Sequence, residues 1–392
     1  MVVNQTVKGK LYLFGGEEKP REPVDNVIHI ITLAQSEHDE VDYQAVPAKG
    51  SDDEAVPLPR VGHTATSIDE RLYVFGGRGG KEMKPLEENG RVWVFDTKLN
   101  QWSYLDPAKG SPYPAARSYH SSASTPHPLS HSTNDQTENA MGASQSGFDD
   151  HGTLFVHGGC PATGRTSDVW GFDIASRVWS QYPQAPGAPR GGTCISFVQD
   201  RLYRFGGFDG ERELGGSIDI LHFNLSSFDD KGGKGEMAVF PKTGNWESVA
   251  TDAGTGPGNR SVAGLQPITV GQGRNYLLLF LGEKDPSSSG HDAAGKFWDD
   301  VYSYQLKPDG MTGASFKDAT RMLVGAKSSE ETWCRVDIPE SSKTSGEAEG
   351  PGPRGWFAST QGQDLGPETV VLWGGVLNDN SRSPNGWILT VE

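Results

Sequence analysis

Residues 281–295, LGEKDPSSSGHDAAG, bring two carboxylates and an imidazole, Glu283, Asp285 and His291, into one short stretch. Carboxylate oxygens with one imidazole nitrogen suit a divalent first-row cation such as Fe(II) or Mn(II), and three protein ligands leave coordination positions open to a substrate. Pro286 and the surrounding serines and glycines make the stretch a loop, so helical spacing rules do not apply to it. The competing reading is a solvated acidic loop without a ligand. A second chemistry is carried by Arg78, directly after Gly77, and Arg165, shortly after Gly159. A guanidinium presents a planar fork of donors that fits an oxyanion, so the pair points to a small anionic ligand. The competing reading for each arginine is a hydrogen bond to backbone carbonyl groups of a neighbouring structural unit.

These residues sit at fixed places in a repeat. LYLFGG, LYVFGG, LFVHGG, LYRFGG and VVLWGG end at Gly16, Gly77, Gly159, Gly207 and Gly375, and LLLFLG ends at Gly282 with Leu281 in place of the first glycine. Arg60, Arg117, Arg190, Arg260 and Arg354 open the β-rich run that precedes each pair after the first. A further β-rich run follows each pair, then Trp102, Trp179, Trp246 or Trp333, with Tyr43 in that place in the first repeat. Six repeats of a four-stranded unit resemble the kelch family and imply an all-β, six-bladed β-propeller, because a single sheet with two apolar faces must stack against its neighbours. The blades are expected near residues 1–46, 60–105, 117–182, 190–249, 260–336 and 354–392 of one domain. The first repeat starts inside its inner strand and the sixth stops after its third, so one open or short blade edge is expected. Residues 121–150, rich in Ser, Thr, Asn and Gln, are expected to form a flexible loop. In an antiparallel blade, the opening arginines and the residues after each glycine pair lie on one face, and the long insertions lie on the other. Arg78, Arg165, Glu283, Asp285 and His291 are therefore expected around one uncovered mouth, with His63 and His120 in structural roles.

The bulk composition fits this organisation and excludes several functions. The chain has 392 residues with 51 glycines and 25 prolines spread along it, which punctuate many short strands. Its formal charge of -16 and the lack of a basic patch argue against nucleic acid and anionic membranes as partners. No charged-then-apolar leader is visible, and the longest aliphatic or aromatic run, residues 276–281, is too short to span a bilayer, so a soluble cytoplasmic protein is expected. Cys160, Cys194 and Cys334 are far apart without metal-ligand spacing and read as free thiols. The sequons at Asn4, Asn224 and Asn259 carry little weight without a leader.

Beyond the kelch pattern, FGGEEKPREPVDNVIHI (14–30), YVFGGR (73–78), ARSYHS (116–121), RGGTCISFVQDRLYRFGGFDG (190–210), GNRSVAG (258–264) and PRGWFAST (353–360) resemble the plant nitrile-specifier and epithiospecifier proteins. That resemblance implies an Fe(II)-dependent protein that diverts glucosinolate aglucones toward nitriles, thiocyanates or epithionitriles. The family's iron motif, Glu-x3-Asp-x3-His, is matched at its ends by Glu283 and His291, while its middle position is Ser287 and the acid stands two residues earlier as Asp285. The resemblance further assigns Arg78 to anion binding, Arg165 to a polar pocket position, and Tyr119 and Trp356 to the aromatic walls.

Two functions of different class follow. In the first, Glu283, Asp285 and His291 hold Fe(II) (or Mn(II)), which engages a soft sulfur of a small anionic substrate of the thiohydroximate sulfate type. Arg78 and Arg165 hold the departing sulfate, and Tyr119 and Trp356 enclose the side chain. The alternative is a non-catalytic propeller that acts as a scaffold for a protein partner. A radical copper oxidase on a kelch-like propeller gains no support from the cysteine placement.

Overall fold

The computed structural model describes residues 2–33, 41–51, 55–127, 151–223, 226–228, 237–239, 243–252, 254–271, 273–289, 293–308, 330–337, 350–362 and 364–391. His291, Asn224 and most of the long insertions lie outside the described residues.

Six antiparallel blade sheets follow one another along the chain, with five two-stranded ribbons beside them, and no α-helix occurs among the described residues. Blade one pairs Val2–Val7, Lys10–Phe14, Ile28–Thr32 and Asp42–Val46 in sequence order. Its inner strand is therefore present as a whole, with an irregular register between Val3 and Thr6. Blades two to five repeat the four-strand order, and their innermost strands are Thr64–Ile68, Ser121–Thr125, Cys194–Val198 and Gly264–Val270. Blade six has three strands, Ala358–Gln361, Thr369–Trp373 and Gly386–Thr390, so its outer edge is unpaired among the described residues. Each inner strand contacts the next, and Val2–Val7 contacts Ala358–Gln361, which closes the ring.

The stretch from Ser121, expected to be a loop, opens with the inner strand of blade three. Its small side chains conceal a strand because this inner strand packs closely against its neighbours Thr64–Ile68 and Cys194–Val198, where Ser, Thr and Ala fit. Thr66 Oγ1 and Ser124 Oγ share a hydrogen bond of 2.6 Å between neighbouring inner strands, and the Ser121 hydroxyl donates to the Thr193 carbonyl.

The glycine pairs join blades. The second glycine donates its N–H to the carbonyl of the next blade's opening arginine: Gly77 to Arg117 at 2.8 Å, Gly159 to Arg190 at 2.9 Å, and Gly207 to Arg260 at 2.8 Å. Gly77 sits at φ 100°, and a Cβ on Gly76 would overlap the Arg117 carbonyl oxygen, so that blade junction requires glycine at both positions. In the fifth repeat Leu281 occupies φ 57° while Gly282 keeps φ 99° and donates to the Arg354 carbonyl at 2.9 Å. Leu281 is buried in the apolar seam between blades five and six with Phe280, Val370 and Leu372. Burying a leucine is worth about 1.5–3 kcal/mol, enough to offset the roughly 1–2 kcal/mol that a left-handed non-glycine residue costs.

The tryptophans fill the seams. Trp102 of blade two packs on Phe14 of blade one, Trp179 on Phe75, and Trp333 on Phe205, with ring centroids 5.0, 5.1 and 5.5 Å apart. Tyr43 opposes Ile31 as Trp102 opposes Phe95, so it holds the tryptophan register, but it is exposed and stacks on His29.

Candidate functional site

Seven arginines were candidates for one basic rim, and the structure divides them. The five that open inner strands are buried pins within their own blades and not rim residues. Arg60 donates to the Leu58 and Gly76 carbonyls and forks onto Glu88, and Arg117 repeats this with Ala115, Gly158 and Asp168. Arg260 does so with Gly258, Leu281 and Asp300. Each arginine thus satisfies the carbonyl left free where the glycine pair breaks the ladder. Their partners are carbonyls of the same blade, whereas the sequence suggested those of a neighbour.

Arg78 and Arg165 face a cavity of about 980 Å³ at the propeller axis, together with Tyr119, Glu283 and Trp356. An inter-blade relay of backbone hydrogen bonds builds its mouth. The residues two positions after each opening arginine are Gly62, Tyr119, Gly192, Val262 and Trp356, and all have φ between 46° and 63°. Tyr119 N–H donates to Gly62 O at 2.7 Å, Gly192 to Tyr119 at 2.8 Å, Val262 to Gly192 at 2.7 Å, and Trp356 to Val262 at 3.1 Å. Left-handed backbone at Tyr119, Val262 and Trp356 is strain held by the ring, and such strain collects at ligand sites.

Side chains continue this connection across the cavity. The Arg78 guanidinium lies 4.7 Å from the centre of the Tyr119 ring, while its Nε donates to Ser118 Oγ at 2.9 Å. Tyr119 meets Trp356 edge to face at 5.3 Å. Trp356 in turn hydrogen-bonds the Glu283 carboxylate, which also accepts the Ser287 backbone N–H. Burial outweighs both bonds and pushes the Glu283 carboxyl up to about 7. A Cβ on Gly295 would overlap Glu283 Oε1, so glycine there makes room for the carboxylate. Arg165 stacks over Phe208 at 5.0 Å and has no hydrogen-bond or ion-pair partner among the described residues.

Asp285 does not join Glu283. A register irregularity in the pairing of Glu283–Asp285 with Lys296–Phe297 breaks the alternation that would put residues two apart on one face. Asp285 is exposed, pairs with Lys296 Nζ at 3.6 Å, and lies outside the cavity lining. Among the described residues no group of three or more His, Cys, Asp or Glu is placed to hold a metal ion, and His291 is not among them. His63 and His120 line the cavity but are buried against Phe14 and Phe75, and burial holds both neutral, His120 near 3.

Three site residues had no clear mark in the sequence. Arg382 reaches the cavity from blade six and pairs with Glu17 of blade one at 2.5 Å. Cys160 lines it beside Arg78 and Arg165, although burial raises its thiol above the usual range. Glu213 is buried next to Ser261 and Glu283, and its position six residues after Gly207 was the only hint.

Comparisons with known proteins fit this geometry. A solved structure titled "Structure of YjhT" superposes with a TM-score of 0.57 at 12% identity, covering 100% of this chain and 94% of that one, which supports the fold alone. Residues 3–129 match the family model described as the KLHDC2/KLHL20/DRC7 Kelch-repeats domain. The chain is a six-bladed β-propeller whose first 129 residues include this kelch-repeat match. It is 26% identical over 398 aligned positions to the N-(sulfonatooxy)prop-2-enimidothioate sulfolyase of Thlaspi arvense, covering 98% of this propeller and 90% of that protein. It is also 27% identical over 236 positions to kelch domain-containing protein 3 of Homo sapiens, covering 57% of this propeller and 52% of that protein. The propeller thus resembles a sulfolyase over nearly its whole length and the human protein over about half of it. No helix among the described residues is long and apolar enough to cross a membrane.

Proposed function

We propose that this propeller promotes the fragmentation of a thiohydroximate sulfate, the glucosinolate-aglucone type, to nitrile-type products with Fe(II) as cofactor and Mn(II) as its stand-in. The observation that carries the reading is the unbroken line Arg78, Tyr119, Trp356, Glu283, which places an oxyanion-binding fork and a buried carboxylate in one cavity. Glu283 is 7% exposed and has no cationic side chain paired with it among the described residues, so its surroundings fit a bound cation. When bound, Fe(II) supplies a Lewis acid with affinity for sulfur.

The chain's own residues do the rest. Arg78, held at its Nε by Ser118, turns its remaining donors to the sulfate, and Arg165 adds a second guanidinium. Both stabilise charge that grows as the N–O bond breaks, and the products nitrile, sulfur and sulfate balance the substrate without an added oxidant. Tyr119 and Trp356 cover the apolar side chain and exclude water. The test is myrosinase with allylglucosinolate and Fe(II), with and without the protein. Nitrile or epithionitrile only in the tube with protein is expected, and isothiocyanate alone in both tubes would overturn the reading.

The outer strand Gly386–Thr390, whose outer edge is unpaired among the described residues and whose Ile388 is 48% exposed, favours a second reading in which a partner protein adds a strand to blade six.

A further inference from the structure

We propose that Glu213 is a second carboxylate ligand of a divalent cation, acting beside Glu283 from behind the cavity lining; this deepens the proposed function and rests on its metal reading. Glu213 belongs to blade four, in the turn that follows Gly207, and was not among the residues suggested by the specifier resemblance. Phe208 bridges Glu213 to Gly191, the Ser261 side chain meets the Glu213 carboxylate, and Ser261 in turn bridges Glu283 through its backbone. The last is a double hydrogen bond, Ser261 N–H to Glu283 O at 3.2 Å and Glu283 N–H to Ser261 O at 2.8 Å. Phe208, Gly191, Ser261 and Glu283 all line the cavity, and Glu213 stands against them without lining it.

The Glu213 carboxyl is unlike the other buried acids of the fold. Asp300 receives both arms of an arginine fork, Asp219 receives Arg204, Asp173 accepts from Ser176, and Glu283 accepts from Trp356 and the Ser287 N–H. Glu213 is 4% exposed, and neither of its oxygens has a well-formed hydrogen bond. Its charged neighbours are the acids Glu283, Asp209 and Asp285, with only the Ser261 hydroxyl offsetting them. Two carboxylates buried side by side are tolerated only with a proton or a cation between them. Carboxylate oxygens and a serine hydroxyl form a hard donor set suited to Mn(II) or Fe(II). Asp285, the acid nearest in sequence, is committed to Lys296 outside the cavity.

The test is anaerobic calorimetric titration of Mn(II), with the Mn(II) electron paramagnetic resonance signal as a second readout, on wild type, Glu213→Gln, Glu213→Asp, Glu283→Gln and Asp285→Asn. The expected result is one Mn(II) per wild-type chain, weakened about tenfold or more by Glu213→Gln and by Glu283→Gln and left within about twofold by Asp285→Asn. Glu213→Asp keeps the charge with a shorter reach, so it retains the fold and binds with intermediate affinity. Mn(II) should raise the melting temperature of wild type and not that of Glu213→Gln. Wild-type affinity in Glu213→Gln alongside loss in Glu283→Gln would remove Glu213 and leave the metal reading standing. No Mn(II) binding by wild type would overturn both.

Discussion

Arg78 shows how one side chain is prepared for an anion before the anion arrives. Ser118 fixes its Nε and the Tyr119 ring supports its face, so little side-chain freedom is left to lose on binding. Lysine in its place keeps the charge but loses the fork, and Arg78→Lys should weaken binding of a sulfate ester by about tenfold to a hundredfold, measured by calorimetry, with the melting temperature unchanged. Glu283 and Glu213 predict a pH dependence with a definite sign. Their folded-state values of about 7 and about 8 lie above the unfolded value of 4.5, so the folded chain holds more protons in between. The stability of the metal-free protein should therefore be greatest below about pH 4.5 as far as these two groups decide it, and should fall as pH rises toward 8. Glu213→Gln should flatten that slope in urea denaturation at pH 5, 6, 7 and 8, and an equal slope in the variant would show that Glu213 does not carry it.

At the scale of the strand and its connecting turns, the opening arginines hold each blade together and the glycine pairs hold it to the next. Arg260→Ala would strand Asp300, which is 6% exposed, and leave the Leu281 carbonyl unpaired. Breaking a buried pair in this way costs about 3–5 kcal/mol, so a large drop in the urea midpoint is expected. Leu281→Gly restores the usual glycine pair but empties a filled seam, and a loss of about 2 kcal/mol or more should outweigh the relieved φ. These elements were legible in the sequence because arginine, Gly-Gly and tryptophan recur at fixed intervals and each has one structural task. The inner strand Ser121–Thr125 was not legible, since its close packing against Thr64–Ile68 and Cys194–Val198 fits small polar side chains that otherwise mark loops. The site was legible where it depends on position after a glycine pair, as for Arg78, Arg165 and Glu283. It was not legible where a single bulge turns Asp285 outward, or where Glu213 is brought close only by pairing through Phe208 and Ser261.

For the whole molecule, the decisive step is joining blade six to blade one. Among the described residues each blade is one contiguous segment and no strand is exchanged across the closure, so the seam depends on side-by-side contacts. Leu11, Leu13 and Ile31 meet Ala358 and Val371 there, with Arg382 paired to Glu17 and the Gly9 N–H donating to Asp364 at 2.8 Å. Trp373 packs beside this cluster, but no fourth-strand tryptophan wedges it as Trp102, Trp179 and Trp333 wedge theirs, because Tyr43 in that register is 58% exposed. This seam should accordingly open before the others, since local openings begin where buried apolar contact is thinnest. In native-state hydrogen exchange, the amides of Val2–Val7 and Ala358–Gln361 should exchange faster than those of Cys194–Val198, and Leu13→Ala should widen the difference. Leu13 is 1% exposed, so its truncation should cost about 2–5 kcal/mol. Trp356, Arg382 and Glu17 line the cavity beside the seam, so the same variant should weaken anion binding although Arg78 is untouched. Uniform exchange across all six inner strands would mean that the ring opens as one unit and that the site is not coupled to its closure.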